Sequence, residues 1–490
     1  MAESKIRTRF APSPTGFMHI GNLRTALFEF LVAKHQDGDF VLRIEDTDQG
    51  RYVEGALEKI YQALELTGLK HDEGPDIGGP YTPYVQSERK DIYLKEVQKL
   101  LDNGTAYYCF CSEERLEKLH EKQRAAGSDF IGYDGHCRNL SKEEVEEKLA
   151  NGEEHVIRQK MPRTGSITYT DEVYGELSFE NKTFEDQVLI KSDGLPTYNF
   201  ANVVDDHAMN ITHIVRGNEY LSSTPKYIYL YEAFGYPVPK FIHLPLILNK
   251  DGNKLSKRDG ATTFEELIDA GYLPEAIVNY LALLGWSPKG TQELFTLDEL
   301  IEAFKIDGIS KSPAVYDEDK LKWFNEQYLK AMSTEEFIEV AKPYFYQVDP
   351  DMQEDTMALL ADNLKTRIGQ LTEIPEKIHF VAELIDYDLD LFVHKKSKST
   401  LESSYKVLAD FLEIFPELEA WDHDALYHSM KDYATEKDLK TGTVMFPIRI
   451  ALTGQKVTPG GTVQMLQILG RDESMKRLKT SFDRLAAELK

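Results

Sequence analysis

The stretch RFAPSPTGFMHIGNLRTALFEFL, residues 9–31, joins an apolar run to a helical pattern through a stiff polar loop. The flanking apolar runs, residues 5–10 and 39–45, are typical of strands buried on both faces. Between them, apolar side chains recur at helical spacing, at Leu23, Ala26, Leu27, Phe30 and Leu31. Gly38 follows the pattern at a place where helices commonly end. A strand, a helix and a strand within about 40 residues predict the βαβ unit of a parallel sheet.

The rest of the chain predicts three regions. Helices are expected near 52–66 and 88–102, and mixed patterns between about 105 and 200 predict an α+β insertion. The strand-and-helix pattern resumes at HIVRG, a helix near 222–234 and FIHLPLIL. From about 262 helical periodicity dominates. We therefore expect an α/β Rossmann-like, doubly wound parallel sheet with an α+β insertion, followed by an all-α C-terminal region.

Composition limits the class of protein. Of 490 residues, 41% are hydrophobic and 29% charged, which is ordinary for a globular protein. No run approaches the roughly 20 apolar residues that span a bilayer, and the N-terminus lacks the apolar core of a secretory signal. These features predict a cytoplasmic protein. The three cysteines, Cys109, Cys111 and Cys137, argue against a disulfide framework and favour reduced thiols or a metal site.

The formal net charge of −26 argues against a nucleic-acid binder, because phosphates are neutralised by lysine and arginine. A basic face can nevertheless lie on an acidic body. Residues 250–260 carry four basic and two acidic side chains, which makes this loop a local positive site.

The loop before the first helix has the features of a phosphate site. It follows a strand and precedes a helix N-terminus, a position that binds ligands in doubly wound sheets. Gly16 and Gly21 allow close backbone approach, and His19 can donate to a phosphate oxygen. The glycines do not follow G-x-G-x-x-G, which disfavours NAD. A stiff turn with a satisfied histidine is the alternative.

KLSKR, residues 254–258, lies between Gly252 and Gly260. A mobile lysine there can meet charge that develops on a transferring phosphoryl group. A solvated surface loop is the alternative for so short a basic run.

Together, HIGN and KLSKR resemble the HIGH and KMSKS signature pair of class I aminoacyl-tRNA synthetases. Further segments resemble bacterial-type glutamyl-tRNA synthetases in particular, namely RFAPSPTGFMHIGN, RIEDTD, GLPTYNFANVVDDH, HIVRGNEYLSSTPK, NYLALLGW and MFPIRIALTG. The resemblance covers essentially the whole chain. Asn22 replaces the second histidine of HIGH, although its amide can still donate to ribose or phosphate.

The resemblance implies a domain plan. Residues 1–330 would form the class I catalytic region, with the insertion at about 105–200 gripping the tRNA acceptor end and a stem-contact region at about 250–330. Residues 331–490 would form a helical anticodon-binding region of two subdomains joined near 385–400. Arg367, in NLKTRIGQ, falls where the family places an anticodon-reading arginine; a solvated helix arginine is the alternative.

The implied reaction is ATP-dependent activation of glutamate to glutamyl-adenylate, followed by transfer to the 3′ end of tRNA(Glu), with Mg²⁺ entering with ATP. Positioning and charge stabilisation suffice, so no protein nucleophile is required. By resemblance, His19, Lys254 and Lys257 act in catalysis. The implied ATP-binding residues are His19, Gly21, Asn22, Lys254, Ser256, Lys257 and Arg258.

A glutamate pocket needs an acid for the α-ammonium and arginines for the carboxylates. The matching residues are Arg9, Ser13, Glu45, Tyr198, Asn202 and Arg216. Glu45 would hold the ammonium and Arg216 the side-chain carboxylate, so glutamine would leave Arg216 facing a neutral amide. As alternatives, Glu45 caps a strand end and Tyr198 belongs to the core.

A zinc site is a further implication. Cys109, Cys111 and Cys137 resemble the zinc ligands of some family members, with Tyr133 or His136 as the fourth ligand. The histidine found two residues after the last cysteine in clear zinc-binding members is Asn139 here. Small, partly buried thiols are the alternative.

Four other functions compete with this interpretation. A glutaminyl-tRNA synthetase usually carries β-barrel anticodon domains, which the helical periodicity after 330 disfavours. A truncated tRNA-modifying paralogue lacks the C-terminal region, and a small-molecule adenylyltransferase needs no insertion or glutamate pocket. A non-catalytic RNA-binding protein would be expected to lack His19 or Lys257, and both are present. Whether tRNA(Gln) is also charged stays open, and a monomer is the expected state.

Overall fold

The computed structural model describes residues 5–128, 130–256, 260 and 262–490. The chain forms two compact units. The first comprises the chain up to Ile268 together with Ile277–Glu318, and the second comprises Asp269–Ala276 and Asp319–Lys490. The boundary at Glu318 lies 12 residues before the expected one at 330.

The strands are β1 (Arg7–Phe10), β2 (Asp39–Leu42), β3 (Ala106–Cys109), β4 (Val156–Gln159), β5 (Ser166–Asp171), β6 (Gly175–Glu180), β7 (Val188–Ile190), β8 (His213–Gly217), β9 (Lys240–Leu244), β10 (Ile247–Leu248) and β11 (Ala314–Val315). The helices of the first 318 residues are α1 (Ile20–Lys34), α2 (Ala56–Leu66), α3 (Lys90–Asp102), α4 (Glu113–Ala125), α5 (Lys142–Ala150), α6 (Tyr198–Ala208), α7 (Thr224–Phe234), α8 (Phe264–Asp269), α9 (Pro274–Leu283) and α10 (Leu297–Ala303). The remaining helices are α11 (Glu318–Ala331), α12 (Thr334–Val348), α13 (Glu354–Leu364), α14 (Ile374–Ile378), α15 (Leu401–Ile414), α16 (His423–Glu436), α17 (Thr441–Thr453) and α18 (Thr462–Glu488).

The expected βαβ unit is present at the start of the chain. Strand β1 pairs in parallel with β2, and α1 connects them. Apolar side chains cover almost the whole circumference of α1, as expected for a helix inside a domain. After the helix, Asp37 takes a positive φ of 52°, and Gly38 passes so close to the chain that a Cβ there would lie 2.5 Å from the carbonyl oxygen of Ile6.

Strands β1 and β2 form a two-stranded parallel sheet, and β8 and β9 belong to a four-stranded main sheet that lies beside β1. The backbone N–H of Thr212, just before β8, donates to the carbonyl of Arg7 at 2.9 Å, and β8 pairs with β9 in parallel. The α/β prediction is therefore confirmed. The main sheet, in the order β6-β5-β9-β8, is mixed rather than wholly parallel, because the antiparallel hairpin β5–β6 extends it.

The strands of the 105–200 segment belong to two different sheets. Strands β3, β4 and β7 form a separate antiparallel sheet. The hairpin β5–β6 instead joins the main sheet, because Asp171 at the end of β5 pairs with Phe241 of β9 in parallel. Strand β5 is thus the direct neighbour of β9, the strand that begins FIHLPLIL, and β9 separates it from β8, the strand of HIVRG.

The second unit is helical, which confirms the expected all-α C-terminal region. The structure describes every residue of this unit, and within them it records helices and turns without a β-strand. One hydrophobic cluster extends from Leu273 to Leu485 and includes side chains on both sides of the 385–400 segment. Gly470 interrupts α18 with a φ of 72°, which produces a kink.

Candidate active site

A cavity of about 710 Å³ opens in the first unit at the carboxyl ends of β1, β2 and β8, beside the N-terminus of α1. This is where ligands bind in open α/β sheets. Nine of the predicted site residues line it: Arg9, Ser13, His19, Gly21, Asn22, Glu45, Tyr198, Arg216 and Lys254. Asn202 and the exposed Ser256 do not line it. Lys257 and Arg258 lie outside the described residues.

Backbone hydrogen bonds hold the first loop against the segment that follows KLSKR. The N–H of Ile20 donates to the carbonyl of Thr262 at 2.9 Å, and the N–H of Phe264 donates to the carbonyl of Met18 at 2.8 Å. His19 forms a bridge with Thr263 between these two bonds. The HIGN loop is therefore bonded to residues 262–264, although the two segments are distant in sequence.

His19 caps the N-terminus of α1 through its ring. Its Nδ1 accepts the backbone N–H of Gly21 at 3.1 Å. A neutral ring in this arrangement carries its proton on Nε2, which is the nitrogen that can donate to a phosphate oxygen. The N–H of Gly21, expected to face ATP, is here directed to His19.

The base of the cavity contains paired charges. The Nε of Arg9 donates to Asp206 at 3.0 Å, and its Nη1 donates to Glu29 at 3.1 Å. Burial opposes the charge on Arg9, but Asp206 and Glu29 outweigh it and raise its pKa. Burial also raises the pKa of Glu29, whose Oε2 is buried without a hydrogen-bond partner.

Glu45 lies close to Arg9 and Asp206. Its Oε1 accepts from Nη2 of Arg43 at 3.0 Å and from the amide of Gln86 at 3.5 Å. Arg43, fully buried, also donates to Asp206 at 2.7 Å. Burial raises the pKa of Glu45 to about 7, although Arg43 and Arg9 oppose that shift. A cation entering the cavity would therefore meet a carboxyl group whose ionised form is costly when unpaired.

Arg216, at the end of β8, is held from several sides. Its Nε donates to Nε2 of His243 at 3.2 Å, and its Nη2 donates to the hydroxyl of Thr224 at 2.7 Å. Three aromatic rings surround the guanidinium at 4.7 to 5.2 Å, those of Tyr220, Tyr227 and Phe241. No hydrogen-bond partner for Nη1 exists among the described residues, so this nitrogen keeps its donors for a ligand.

His243 is in turn bonded to an acid. Its Nδ1 lies 2.6 Å from Oδ2 of Asp171. Burial lowers the pKa of His243 more strongly than Asp171 raises it, and Arg216 lowers it further. A neutral ring results, with its proton on Nδ1 and its lone pair directed to Arg216.

Tyr198 and Asn202 lie on α6 at different depths. The Tyr198 ring is half-buried, lines the cavity and lies 5.9 Å from the ring of Tyr220. Burial and the proximity of Glu45 raise the pKa of Tyr198. Asn202 is buried, and its Nδ2 has no hydrogen-bond partner.

Five site residues were missed by the sequence analysis: Arg24, Glu29, Arg43, Asp206 and His243. A charge within an apolar run was the available signal for Glu29 and Arg43, which interrupt LFEFLV and FVLRIE. Arg24 lines the cavity and donates to the carbonyls of Leu284 and Pro245 at 3.1 and 2.5 Å, and burial lowers its pKa to about 10.

The three cysteines converge in the 105–200 segment. Their sulfur atoms all lie within 4.8 Å of one another, and those of Cys111 and Cys137 are 3.6 Å apart. The Tyr133 hydroxyl lies 3.3 Å from the sulfur of Cys109 and 3.8 Å from that of Cys111. Bonds from sulfur to zinc of about 2.3 Å in a tetrahedron place sulfurs about 3.8 Å apart, so the donor set fits zinc.

Of the two candidates for a fourth ligand, Tyr133 contacts the sulfurs. His136 is exposed and does not belong to the group of clustered donors among the described residues. Asn139 is also exposed. Hydrogen bonding from Cys137 and Tyr133 lowers the pKa of Cys109.

Arg367 lies in the second unit, just after α13, and is exposed. Its guanidinium forms no hydrogen bond or ion pair with the described residues. Burial, together with the positive charge of Arg367, lowers the pKa of Arg449. Two arginines therefore lie near each other at this surface.

Two family models match the chain. The model described as tRNA synthetases class I (E and Q), catalytic domain, matches residues 5–323, and an anticodon binding domain model matches residues 336–482. The glutamate–tRNA ligase of Clostridium novyi is 53% identical over 99% of both chains. That of Clostridium acetobutylicum is 52% identical over 99% of this chain and all of the relative.

Solved structures with a similar fold carry the same description as these relatives. A glutamate tRNA ligase from Elizabethkingia meningosepticum, in complex with its amino acid, superposes with a TM-score of 0.91 at 36% identity, covering 98% of this chain and all of that one. A glutamate-tRNA synthetase from Elizabethkingia anophelis gives 0.88 at the same identity and coverage. Within the described residues, no helix is both long enough and apolar enough to cross a membrane.

Proposed function

The chain belongs to the class I tRNA synthetases of the glutamate and glutamine group, and we propose that its cavity is where glutamate meets ATP. The activity is that of a glutamate–tRNA ligase serving protein synthesis. An α-carboxylate oxygen of glutamate attacks the α-phosphorus of ATP, and pyrophosphate leaves. A terminal hydroxyl of tRNA then attacks the acyl carbon, and AMP leaves.

One observation carries the assignment of the pocket: Glu45 and Arg216 line the same cavity. Glutamate carries one ammonium and two carboxylates, so a selective pocket needs both signs of charge. Glu45 receives the ammonium and Arg216 the side-chain carboxylate. Arg9, held by Glu29 and Asp206, belongs to the charged base beneath them. Ser13 and Tyr198 complete the lining, and Asn202 supports it from behind.

The ATP subsite lies at the N-terminus of α1. Nε2 of His19 donates to phosphate, Asn22 and the turn at Gly21 contact the nucleotide, and Lys254 faces the same cavity. Lys257 stabilises the charge that develops on the transferring phosphoryl group, with Ser256 and Arg258 beside it. Class I synthetases use ATP with Mg²⁺, which enters with the nucleotide.

Two features separate this function from glutamine ligation, the second candidate in the same group. The buried guanidinium of Arg216 pairs with a carboxylate, whereas a neutral amide would leave it without charge-assisted bonds. The second unit is helical rather than the β-barrels expected of a glutaminyl-tRNA synthetase.

The partners follow from the reaction. We assign tRNA(Glu) as the nucleic-acid substrate, with the 105–200 segment gripping its acceptor end and Arg367 contacting its anticodon. We further propose that the enzyme acts in the cytoplasm as a monomer. Cys109, Cys111, Cys137 and Tyr133 would hold a structural zinc, which would stabilise the 105–200 segment.

The experiment is aminoacylation of purified tRNA(Glu) and tRNA(Gln) side by side, with labelled glutamate and labelled glutamine. Glutamate should be attached and glutamine should not. Lys257→Ala should reduce adenylate formation by orders of magnitude while tRNA binding persists, and Lys250→Ala in the same loop is the matched control. Attachment of glutamine, or an unchanged rate in Lys257→Ala, would contradict the respective assignment.

A further inference from the structure

Arg216 is connected to a series of buried hydrogen bonds whose other members do not line the cavity. It runs from Asp171 through His243 to Arg216, with Thr224 beside it. Asp171 is 1% exposed, and both His243 and Thr224 are completely buried. Buried polar groups of this kind are costly unless each proton has an acceptor.

In this series of hydrogen bonds, the donor of one bond determines which atom donates in the next. Nε of Arg216 is always a donor, so Nε2 of His243 must present its lone pair. The hydroxyl oxygen of Thr224 lies 2.8 Å from the carbonyl of Tyr220 and 3.2 Å from Nε2 of His243. Its single proton goes to the nearer carbonyl, because Nε2 already accepts from Arg216, and its oxygen accepts from Nη2 of Arg216. The proton of His243 therefore lies on Nδ1, 2.6 Å from Asp171.

We infer that Asp171 and His243 are positioning residues that select for glutamate over glutamine. Asp171 fixes the tautomer of His243, and His243 fixes the plane of the Arg216 guanidinium. Of the five N–H groups of Arg216, one is then held by His243 and one by Thr224, which leaves three for the side-chain carboxylate of the substrate. A guanidinium fixed in this way pairs best with an acceptor that offers two equivalent oxygens.

Asp171 has a second set of contacts that makes a sharp variant possible. Its Oδ1 accepts the backbone N–H groups of Val173 and Tyr174 at 3.0 and 2.9 Å. Asp171→Asn can keep both bonds through its amide oxygen, so the turn is preserved. Its amide nitrogen would then face Nδ1 of His243. The histidine would have to accept there and carry its proton on Nε2, opposite the donating Nε of Arg216.

This inference rests on the proposed function, because it takes Arg216 as the ligand of the substrate side chain. The test compares the full-length Asp171→Asn and His243→Gln variants with Arg216→Lys, in aminoacylation with tRNA present. Glu172→Gln, which removes one exposed negative charge next to Asp171, is the matched control. His213→Gln replaces a different buried histidine, which lies on β8, and controls for the loss of a buried imidazole ring.

We expect Asp171→Asn to raise the KM for glutamate about tenfold, the factor for losing one charge-assisted hydrogen bond, with the KM for ATP unchanged. The preference for glutamate over glutamine should fall by a similar factor. If the network were purely structural, the variant would yield less folded enzyme. The folded fraction would keep the KM values of the unmodified enzyme for both glutamate and ATP. An unchanged KM for glutamate in Asp171→Asn, beside a raised one in Arg216→Lys, would overturn the positioning role and leave the proposed function intact. An unchanged KM in Arg216→Lys would contradict the proposed pocket itself.

A second measurement reads the unmodified enzyme directly and uses a variant only to assign the signal. In spectra of ¹⁵N-histidine-labelled enzyme, the ring of His243, identified by its absence in His243→Gln, should show a protonated Nδ1 and an unprotonated Nε2. A proton on Nε2 in the unmodified enzyme would overturn the inference.

Discussion

The backbone N–H of Phe264 donates to the carbonyl of Met18 at 2.8 Å, which joins the HIGN loop to the segment that follows KLSKR. The loop that carries His19 therefore cannot move away without breaking main-chain hydrogen bonds. In the proposed function both loops contact one nucleotide, so we expect this contact to affect ATP binding.

Glu266 supports that contact. Its Oε2 accepts the backbone N–H groups of Thr262 and Thr263 at 2.8 and 3.0 Å. Glu266→Ala should cost about 1 kcal/mol locally and raise the KM for ATP about fivefold, with a smaller effect in Glu266→Gln, which retains an acceptor. Steady-state kinetics with Glu232→Ala, an exposed helix position, as control would check this. An unaffected KM for ATP would mean that the contact does not position the nucleotide.

Glu45 should make glutamate binding depend on pH. Burial raises the pKa of its carboxyl group to about 7, and only its ionised form pairs with an ammonium. Below about pH 7 the protonated fraction grows, so the KM for glutamate should rise, approaching tenfold per pH unit, and it should level off above 7. The KM for ATP serves as the internal control.

Glu45→Gln should remove this pH dependence and raise the KM for glutamate by about ten- to a hundredfold, because a charge-assisted bond is lost. A KM for glutamate that stays constant between about pH 5.5 and 8 would contradict the role given to Glu45.

The cysteine cluster should contain about one zinc per chain, measured by elemental analysis of protein purified without chelator. Cys137→Ser should lose most of the metal, since three thiolates and one phenol are needed to close the site. Tyr133→Phe should retain part of it, because the three sulfurs remain. Zinc-free protein with unchanged thermal stability would support simple buried thiols instead.

Arg367 should affect the choice of tRNA and not the choice of amino acid. Arg367→Gln should change the ratio of kcat/KM for tRNA(Glu) to that for tRNA(Gln) by about tenfold, within the range of one base contact. The KM for glutamate should not change. Lys431→Gln removes one positive charge elsewhere in the same unit and is the control. Equal effects of the two variants would indicate general electrostatics rather than base recognition.

Local patterns predicted the elements near the site well. The apolar run at 5–10 became β1, and the helical spacing from Leu23 to Leu31 lies within α1. These features are readable because hydrophobic periodicity is a property of neighbouring residues. The sequence motifs also assigned Glu45 and Arg216 to one pocket; both line the same cavity, and their roles in binding glutamate stay predictions.

The buried residues that hold the site in place, such as Asp171, His243 and Glu29, could not be predicted from local patterns. His243 and Arg216 lie on two strands whose pairing is a long-range event, and Asp171 reaches them from a hairpin assigned to the insertion. Glu29 lies on an α1 face that periodicity marks as core, and burial of its charge depends on Arg9 from another element. Such pairings depend on tertiary packing, which no window of sequence contains.

The pairing of Asp171 with Phe241 limits how this enzyme can be re-engineered. A designer could choose the 105–200 segment for shortening, or for exchange between relatives, in order to change tRNA binding. Its β5 strand, however, ends on the acid that holds His243. A swap that shifts the hairpin by one residue would therefore alter amino-acid fidelity as well, and chimaeras should preserve the junction through Asp171.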